Sequence, residues 1–391
     1  MRAERFMANK DMRFTHGGNI WAAAQKWGTA ADRLLDFSAN INPLGPSPQA
    51  LKAIRESLAM IQHYPEPGGE TCKQSLSRYL SVEPDHLVLG NGGSELIYLL
   101  GRMFYKNRVL LLAPCFSEYG QGIINPRIHR ITLNKDQNFI LPAARIIRTM
   151  QKNDLLFIAN PNNPTGNLFD PEGLLSIVQA GAEQEAMVVI DEAFLDFAGG
   201  DEISLRHQVE ENPNLVVVSS LTKFFAIPGL RLGYAAAHPS LIKQMEQLLP
   251  AWRINTLALE AAKASLDDRK YIEQTVAVVQ REREFLQVGL SSLPGLVVYP
   301  GASNFILVDG EGGRLSARDL QERLAPLGIL IRSCQNFNNL TPFFFRLAVK
   351  TREENQKLLS ALRSVYDENY SNTAWGNRVE CSTEISGSPG Y

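Results

Sequence analysis

Lys223 stands alone in an apolar run, SSLTKFFAIPGLRLGY over residues 219–234. An unpaired buried ammonium costs on the order of several kcal/mol, so such a lysine either snorkels to water or is kept for chemistry. Desolvation lowers a lysine pKa, and the neutral amine it favours is the form that makes imines with carbonyls. Ser220 precedes it by three residues and Arg231 follows by eight, a hydroxyl and a guanidinium fork that together suit a phosphate. Upstream, GNGGSE (90–95) joins an apolar strand to an apolar helix; its glycines let backbone approach a ligand, and the helix start offers free N–H groups to an anion. NPNNPTG (160–166) is a loop fixed by two X-Pro steps that presents asparagine donors. In VVIDEAF (188–194), Asp191 ends an apolar strand, where a carboxylate could pair with a cationic ring nitrogen. Glu192 points the other way along an extended chain and is the weaker candidate. Singly, each has a plainer reading: a strand-to-helix turn, an asparagine turn, an N-cap, a snorkelling lysine. Together they mark one site, because ligands of α/β sheets collect at the carboxyl ends of the strands.

The elements that must position these residues alternate from about residue 86 to residue 237. Continuous Val/Ile/Leu-rich runs at 86–89, 109–112, 155–159, 187–190, 215–218 and 233–237 read as strands buried on both faces. Amphipathic stretches fill the gaps, as at 171–183 with Asp170 as N-cap. This is the pattern of an α/β fold with a mostly parallel sheet. After Pro250 the texture changes: one or two long helices over 256–292, then strands at 296–299, 304–308, 329–331 and 343–349 around a helix at 316–327. These make a smaller α+β domain, which residues 36–58 are expected to join. The expected division is 1–60 as an N-terminal segment serving the small domain and the substrate site, 61–255 as the large domain, 256–368 as the small domain with its linking helix, and 369–391 as a polar, disordered tail.

The chain has 391 residues, 45% hydrophobic and 20% charged, which suits a globular protein with a sizeable core. A net charge of −2 leaves no electrostatic footprint for nucleic acid or an anionic membrane. Cys72, Cys115, Cys334 and Cys381 form no CxxC or Cys/His cluster, so reduced thiols in a cytoplasmic enzyme are expected and a zinc site is not. The charged start carries no signal-peptide pattern, and no apolar run approaches the roughly 20 residues of a membrane span.

The ordered set GNGGSE, NPNNPTG, DEAF and SLTKxxxxxGLRLGY resembles the fold-type I, pyridoxal phosphate-dependent aminotransferase family, near its histidinol-phosphate aminotransferases, as far as about residue 365. The resemblance implies a large domain with a mostly parallel sheet plus a smaller α+β domain, and pyridoxal 5′-phosphate as cofactor. It gives Lys223 the imine with the cofactor aldehyde, Asp191 the ring nitrogen and Asn163 the ring hydroxyl. Phe116, in the loop APCF, would stack on the ring. Gly93, Ser94, Ser220 and Arg231 would bind the cofactor phosphate. Tyr64, in HYPEPGG, matches a family tyrosine that reaches the phosphate of a neighbouring subunit, which implies a homodimer.

Such a cofactor permits several reactions, and the groups that orient the substrate choose among them. Arg332 in ILIRSCQNF and Arg346 in FFFRLAV lie on strands of the small domain, and an arginine among phenylalanines calls for a buried anion. Arg346 matches the family arginine that takes a substrate carboxylate; Arg332 adds a second positive charge and suggests a substrate with two anionic groups. THGGNIWAAAQKWG (15–28) followed by LLDFSANINPLGPS (34–47) resembles the threonine-phosphate decarboxylase branch. That implies substrate contacts from His16, Gly17 and Asn40 together with Asn163, Arg332 and Arg346. The implied reaction is loss of CO2 from L-threonine O-3-phosphate, giving (R)-1-amino-2-propanol O-2-phosphate for the cobalamin linker. Phe194 stands where aminotransferase relatives carry a tyrosine that donates to the cofactor ring oxygen, so the lysine–cofactor imine is expected to hold its proton to higher pH here. The competing readings are a histidinol-phosphate-type aminotransferase and a decarboxylase preferring L-serine O-phosphate. A ligand-sensing regulator on this fold would need a DNA-binding domain ahead of His16.

Overall fold

The computed structural model describes residues 17–121, 123 and 127–381, with side chains described as far as residue 369. The expected strands form. In chain order they are β1 (Leu35–Asp36), β2 (Leu87–Gly90), β3 (Arg108–Ala113), β4 (Arg127–Thr132), β5 (Leu155–Ala159), β6 (Met187–Asp191), β7 (Leu215–Ser220), β8 (Gly233–Ala237), β9 (Val297–Val298), β10 (Phe305–Asp309), β11 (Ile329–Leu330), β12 (Arg332–Ser333) and β13 (Phe344–Ala348). Seven of them make the large sheet, ordered β2-β8-β7-β6-β5-β3-β4. Only β8 runs antiparallel to its neighbours.

Period-two alternation sends successive residues of each strand to opposite faces, and both faces are covered. Leu110, Leu156, Val188, Ile190 and Val217 pack into one core with the helix Pro171–Glu183. Val109, Phe157, Val189, Val216 and Val218 pack into another with the helices Gly93–Met103 and Pro239–Leu248. Asp170 caps Pro171–Glu183 as expected, its Oδ2 accepting the Gly173 N–H at 2.8 Å. The edge strand β4 has no counterpart among the expected strands: its sequence RIHRIT exposes most of its residues and lacks the apolar signature of the others.

The small domain is a four-stranded sheet, β12-β13-β10-β9, whose core includes Ile306, Val308, Phe345, Leu347 and the N-terminal Phe37. The expected strand at 329–331 is two pieces. β11 pairs in parallel with β1, and β12 pairs with β13, so the chain changes sheets at Ile331. Of residues 36–58, the start joins the small domain, with β1 paired to β11 and Phe37 in its core, and Pro48–Glu56 packs on the helix Thr256–Leu266 of the linking region. The long helical stretch divides at Asp267-Asp268, where Asp268 caps Arg269–Ser291 by accepting the Tyr271 N–H at 3.2 Å. The helix Arg352–Cys381 extends past residue 369, where the tail is expected to begin, and residues 382–391 lie outside the described residues. No helix among the described residues is long and apolar enough to cross a membrane.

Candidate active site

Strand β7 runs directly into a four-residue helix, Leu221–Phe224, and this sharp change of direction carries Lys223 to the carboxyl edge of the sheet. The register aligns Ala159 with Asp191 and Asp191 with Val218, so three strand ends meet beside the lysine. Lys223 Nζ donates to Thr222 Oγ1 at 3.1 Å, and that hydroxyl shares a hydrogen bond with Ser220 Oγ at 2.8 Å. Burial and the nearby Arg231 hold the amine down to about 8, against the pull of Asp191. A cavity opens above it, lined by Gly93, Ser94, Phe116, Asn163, Asp191, Ser220 and Arg231.

One end of this cavity is built for an anion. Gly92 caps the helix Gly93–Met103 at φ +80° and has no side chain to compete for the first-turn amides. A Cβ on Gly92 would lie 2.6 Å from Nη2 of Arg231, which itself holds an uncommon positive φ of 59°. Glycine at 92 is what lets the guanidinium close on the helix end. At the other end, Asp191 is buried and accepts from the Ala193 N–H at 3.0 Å and the Tyr119 hydroxyl at 2.8 Å. Burial pushes its carboxyl above the usual range, against these two donors and Lys223. Glu192 turns away, as alternation requires, and accepts the Leu205 N–H at 2.9 Å. Phe116 forms part of the lining and meets the Tyr119 ring edge-on, centroids 5.6 Å apart.

A wider cavity adjoins the first through Ser94, Phe116, Asn163, Phe194, Lys223 and Arg231. Gly17, Asn40, Arg332 and Arg346 line it. Arg346 donates from Nη1 to Asn163 Oδ1 and from Nη2 to the Ser38 carbonyl at 3.0 Å, lies over the Phe305 ring, and leaves a buried Nε without a partner among the described residues. Burial brings its guanidinium down to about 10, so it stays cationic at neutral pH. Arg332 donates to Asn336 Oδ1 at 2.8 Å and lies over the Phe337 ring. Neither arginine forms an ion pair among the described residues. The two carboxylates lining this cavity among the described residues are occupied: Asp36 accepts from Ser38, and Glu118 from the Tyr98 hydroxyl. Asn40 is buried with an Oδ1 that has no partner among the described residues. The wider cavity is therefore shaped for an anionic molecule, next to a low-pKa amine.

The described residues thus bring together every sequence-indicated position except two. Tyr64 lies on the surface, 81% exposed and stacked on Trp252 at 4.8 Å, away from both cavities of its own chain. His16 lies outside the described residues. Sequence reading missed Tyr119, which has no motif beyond its place three residues after Phe116. It also missed Ser38 and Phe337, which reach the wider cavity only through the fold.

The donor set fits an aromatic aldehyde phosphate: an amine for the aldehyde, a helix end with Arg231 for the phosphate, Asp191 for a ring nitrogen and Phe116 for the ring face. The family described as aminotransferase class I and II matches residues 32–362. A threonine-phosphate decarboxylase of Salmonella typhimurium is 36% identical, over 90% of this chain and 96% of its own length. The histidinol-phosphate aminotransferase structure from Clostridium acetobutylicum superposes with a TM-score of 0.80 at 31% identity, covering 86% of this chain and 100% of that one. The L-threonine-O-3-phosphate decarboxylase structure from Porphyromonas gingivalis superposes with a TM-score of 0.75 at 26% identity, covering 85% and 99%.

Proposed function

The chain belongs to the class I and II aminotransferase family, and on that premise we propose that it is a pyridoxal phosphate-dependent carboxy-lyase that removes CO2 from L-threonine O-3-phosphate. The product would be (R)-1-amino-2-propanol O-2-phosphate, for the aminopropanol linker of cobalamin. The observation that carries this reading is the pair of buried guanidiniums, Arg332 and Arg346, lining one cavity with Lys223 and lacking ion-pair partners among the described residues. Two such cations call for a substrate with two anionic ends, and threonine phosphate has a carboxylate and a phosphate.

When bound, pyridoxal phosphate supplies the electron sink for the bond broken at the substrate Cα. Gly93, Ser94, Ser220 and Arg231 would hold its phosphate, Asp191 its ring nitrogen, Asn163 its ring oxygen and Phe116 its face. Arg346 would take the substrate carboxylate and Arg332 the second anion, with Gly17, Asn40, Asn163 and His16 completing the contacts. How these groups hold the two ends decides which Cα bond breaks. Lys223, an amine at the wall of both cavities, would deliver the proton to the substrate Cα that completes the amine product. The exposed Tyr64 is proposed to reach the cofactor phosphate of a second copy, so the active form would be a homodimer.

A histidinol-phosphate-type aminotransferase is the second reading, favoured by the 31% identical structure of that name. Threonine and serine phosphates differ by one methyl, worth about 1–3 kcal/mol in a pocket, and kcat/KM for the two decides between those substrates. Purified holoenzyme given threonine phosphate and no 2-oxo acid tests the main reading: CO2 release supports it, and amino transfer that requires a 2-oxo acid overturns it.

A further inference from the structure

We infer that Tyr119 is a positioning residue for the cofactor ring, acting through Asp191, with the ring nitrogen as the group it tunes; this rests on the pyridoxal phosphate reading above. Its hydroxyl donates to Asp191 Oδ2 at 2.8 Å, while Oδ1 is taken by the Ala193 N–H. The carboxylate is therefore gripped at both oxygens, which fixes its rotation on the cavity wall. The tyrosine is only 1% exposed and has little freedom to leave. Its ring stacks on Phe157 of β5, centroids 5.1 Å apart and planes within 7°, and meets Phe116 edge-on at 5.6 Å. One side chain thus joins the acid expected at the ring nitrogen to the aromatic expected on the ring face. A hydroxyl donating to a carboxylate favours its ionised form, and an ionised, oriented Asp191 is what keeps a pyridine nitrogen protonated.

The test compares holoenzyme carrying Tyr119→Phe with wild type, alone and with Asp191→Asn. Phenylalanine keeps the ring contacts and removes only the hydroxyl. Loss of a hydrogen bond to a charged group is expected to weaken cofactor binding roughly ten- to a hundredfold in the Asp191 background. It should also move the 15N signal of the labelled ring nitrogen toward the unprotonated position. With Asp191→Asn in place, the same change should alter both readouts less than about twofold. Equal losses in the two backgrounds, or an unchanged 15N signal and cofactor affinity in the single variant, would overturn the inference. If Tyr119→Phe fails to fold, 3-fluorotyrosine placed at 119 keeps the volume and strengthens the donor, and should move the 15N signal the opposite way; no movement overturns the inference equally. Both readouts are independent of the substrate, so a positive result alongside absent decarboxylation would sink the reaction proposed above and leave the role of Tyr119 standing.

Discussion

Asn163 and Arg346, 183 positions apart in sequence, share a hydrogen bond in which the arginine Nη1 donates to the amide oxygen. The bond settles which way the amide faces. With Oδ1 engaged, Nδ2 has no protein acceptor among the described residues and is left to donate into the cavity. The loop of the large domain and the sheet of the small domain are tied at the point where cofactor and substrate would meet.

Replacing Asn163 with alanine should therefore do more than remove one donor. It strips Nη1 of a buried guanidinium whose Nε already lacks a partner among the described residues. A charge-assisted bond of this kind is worth about 1.5–3 kcal/mol, so kcat/KM for threonine phosphate should fall roughly ten- to a hundredfold. An unchanged kcat/KM would show that the contact contributes nothing to the site.

The pH dependence of the apoenzyme follows from Lys223. Its amine is held to about 8 in the folded chain, whereas an unfolded lysine titrates near about 10.4. Below about 8 both states hold the proton, and the folded chain carries the full cost of the buried charge. As pH rises from about 8 to about 10.4 the folded amine loses its proton first, so stability contributed at this site increases. Lys223→Met should raise the apoenzyme Tm at pH 7, and the gain should shrink toward zero by pH 10. A gain of constant size across that range, or a loss at pH 7, would contradict the assignment.

Phe194 is buried at the junction of the two cavities and packs edge-on against Phe305, centroids 5.0 Å apart. Restoring a hydroxyl with Phe194→Tyr should add a donor for the cofactor ring oxygen and make the lysine-linked cofactor lose its proton at lower pH. A visible-absorbance titration of the two holoenzymes measures this directly. An unchanged or raised midpoint in the variant would sink the idea.

The residues at strand ends were legible because chemistry and buried β-structure leave separable marks. A charged or polar side chain closing a run such as Val188–Ile190 or Leu215–Val218 stands out against its neighbours. Tyr119 left no such mark, since a tyrosine in a loop becomes functional only through its distance to Asp191. The strand β4 was hidden for a related reason: on an exposed edge it needs no apolar face. The break at Ile331 was hidden because one apolar stretch feeds two sheets, and pairing partners are not written in local pattern.

Arg332 offers the sharpest separation of substrate ends. Arg332→Gln should raise KM for threonine phosphate more than it lowers kcat, as expected for a group that binds substrate and transition state alike. It should also shrink the advantage of the phosphorylated over the unphosphorylated amino acid by roughly ten- to a hundredfold, the worth of a hydrogen bond to a charged group. Preservation of the full phosphate advantage would assign the phosphate elsewhere.

The central claim is the bond that breaks. Pyridoxal phosphate-loaded protein, given L-threonine O-3-phosphate labelled with 13C in its carboxylate and no 2-oxo acid, should release labelled CO2 in equal amount to aminopropanol phosphate over many turnovers. Histidinol phosphate with 2-oxoglutarate, run in parallel, should give no appreciable glutamate. Glutamate formed in the second reaction with no labelled CO2 in the first would contradict the account and make this chain an aminotransferase.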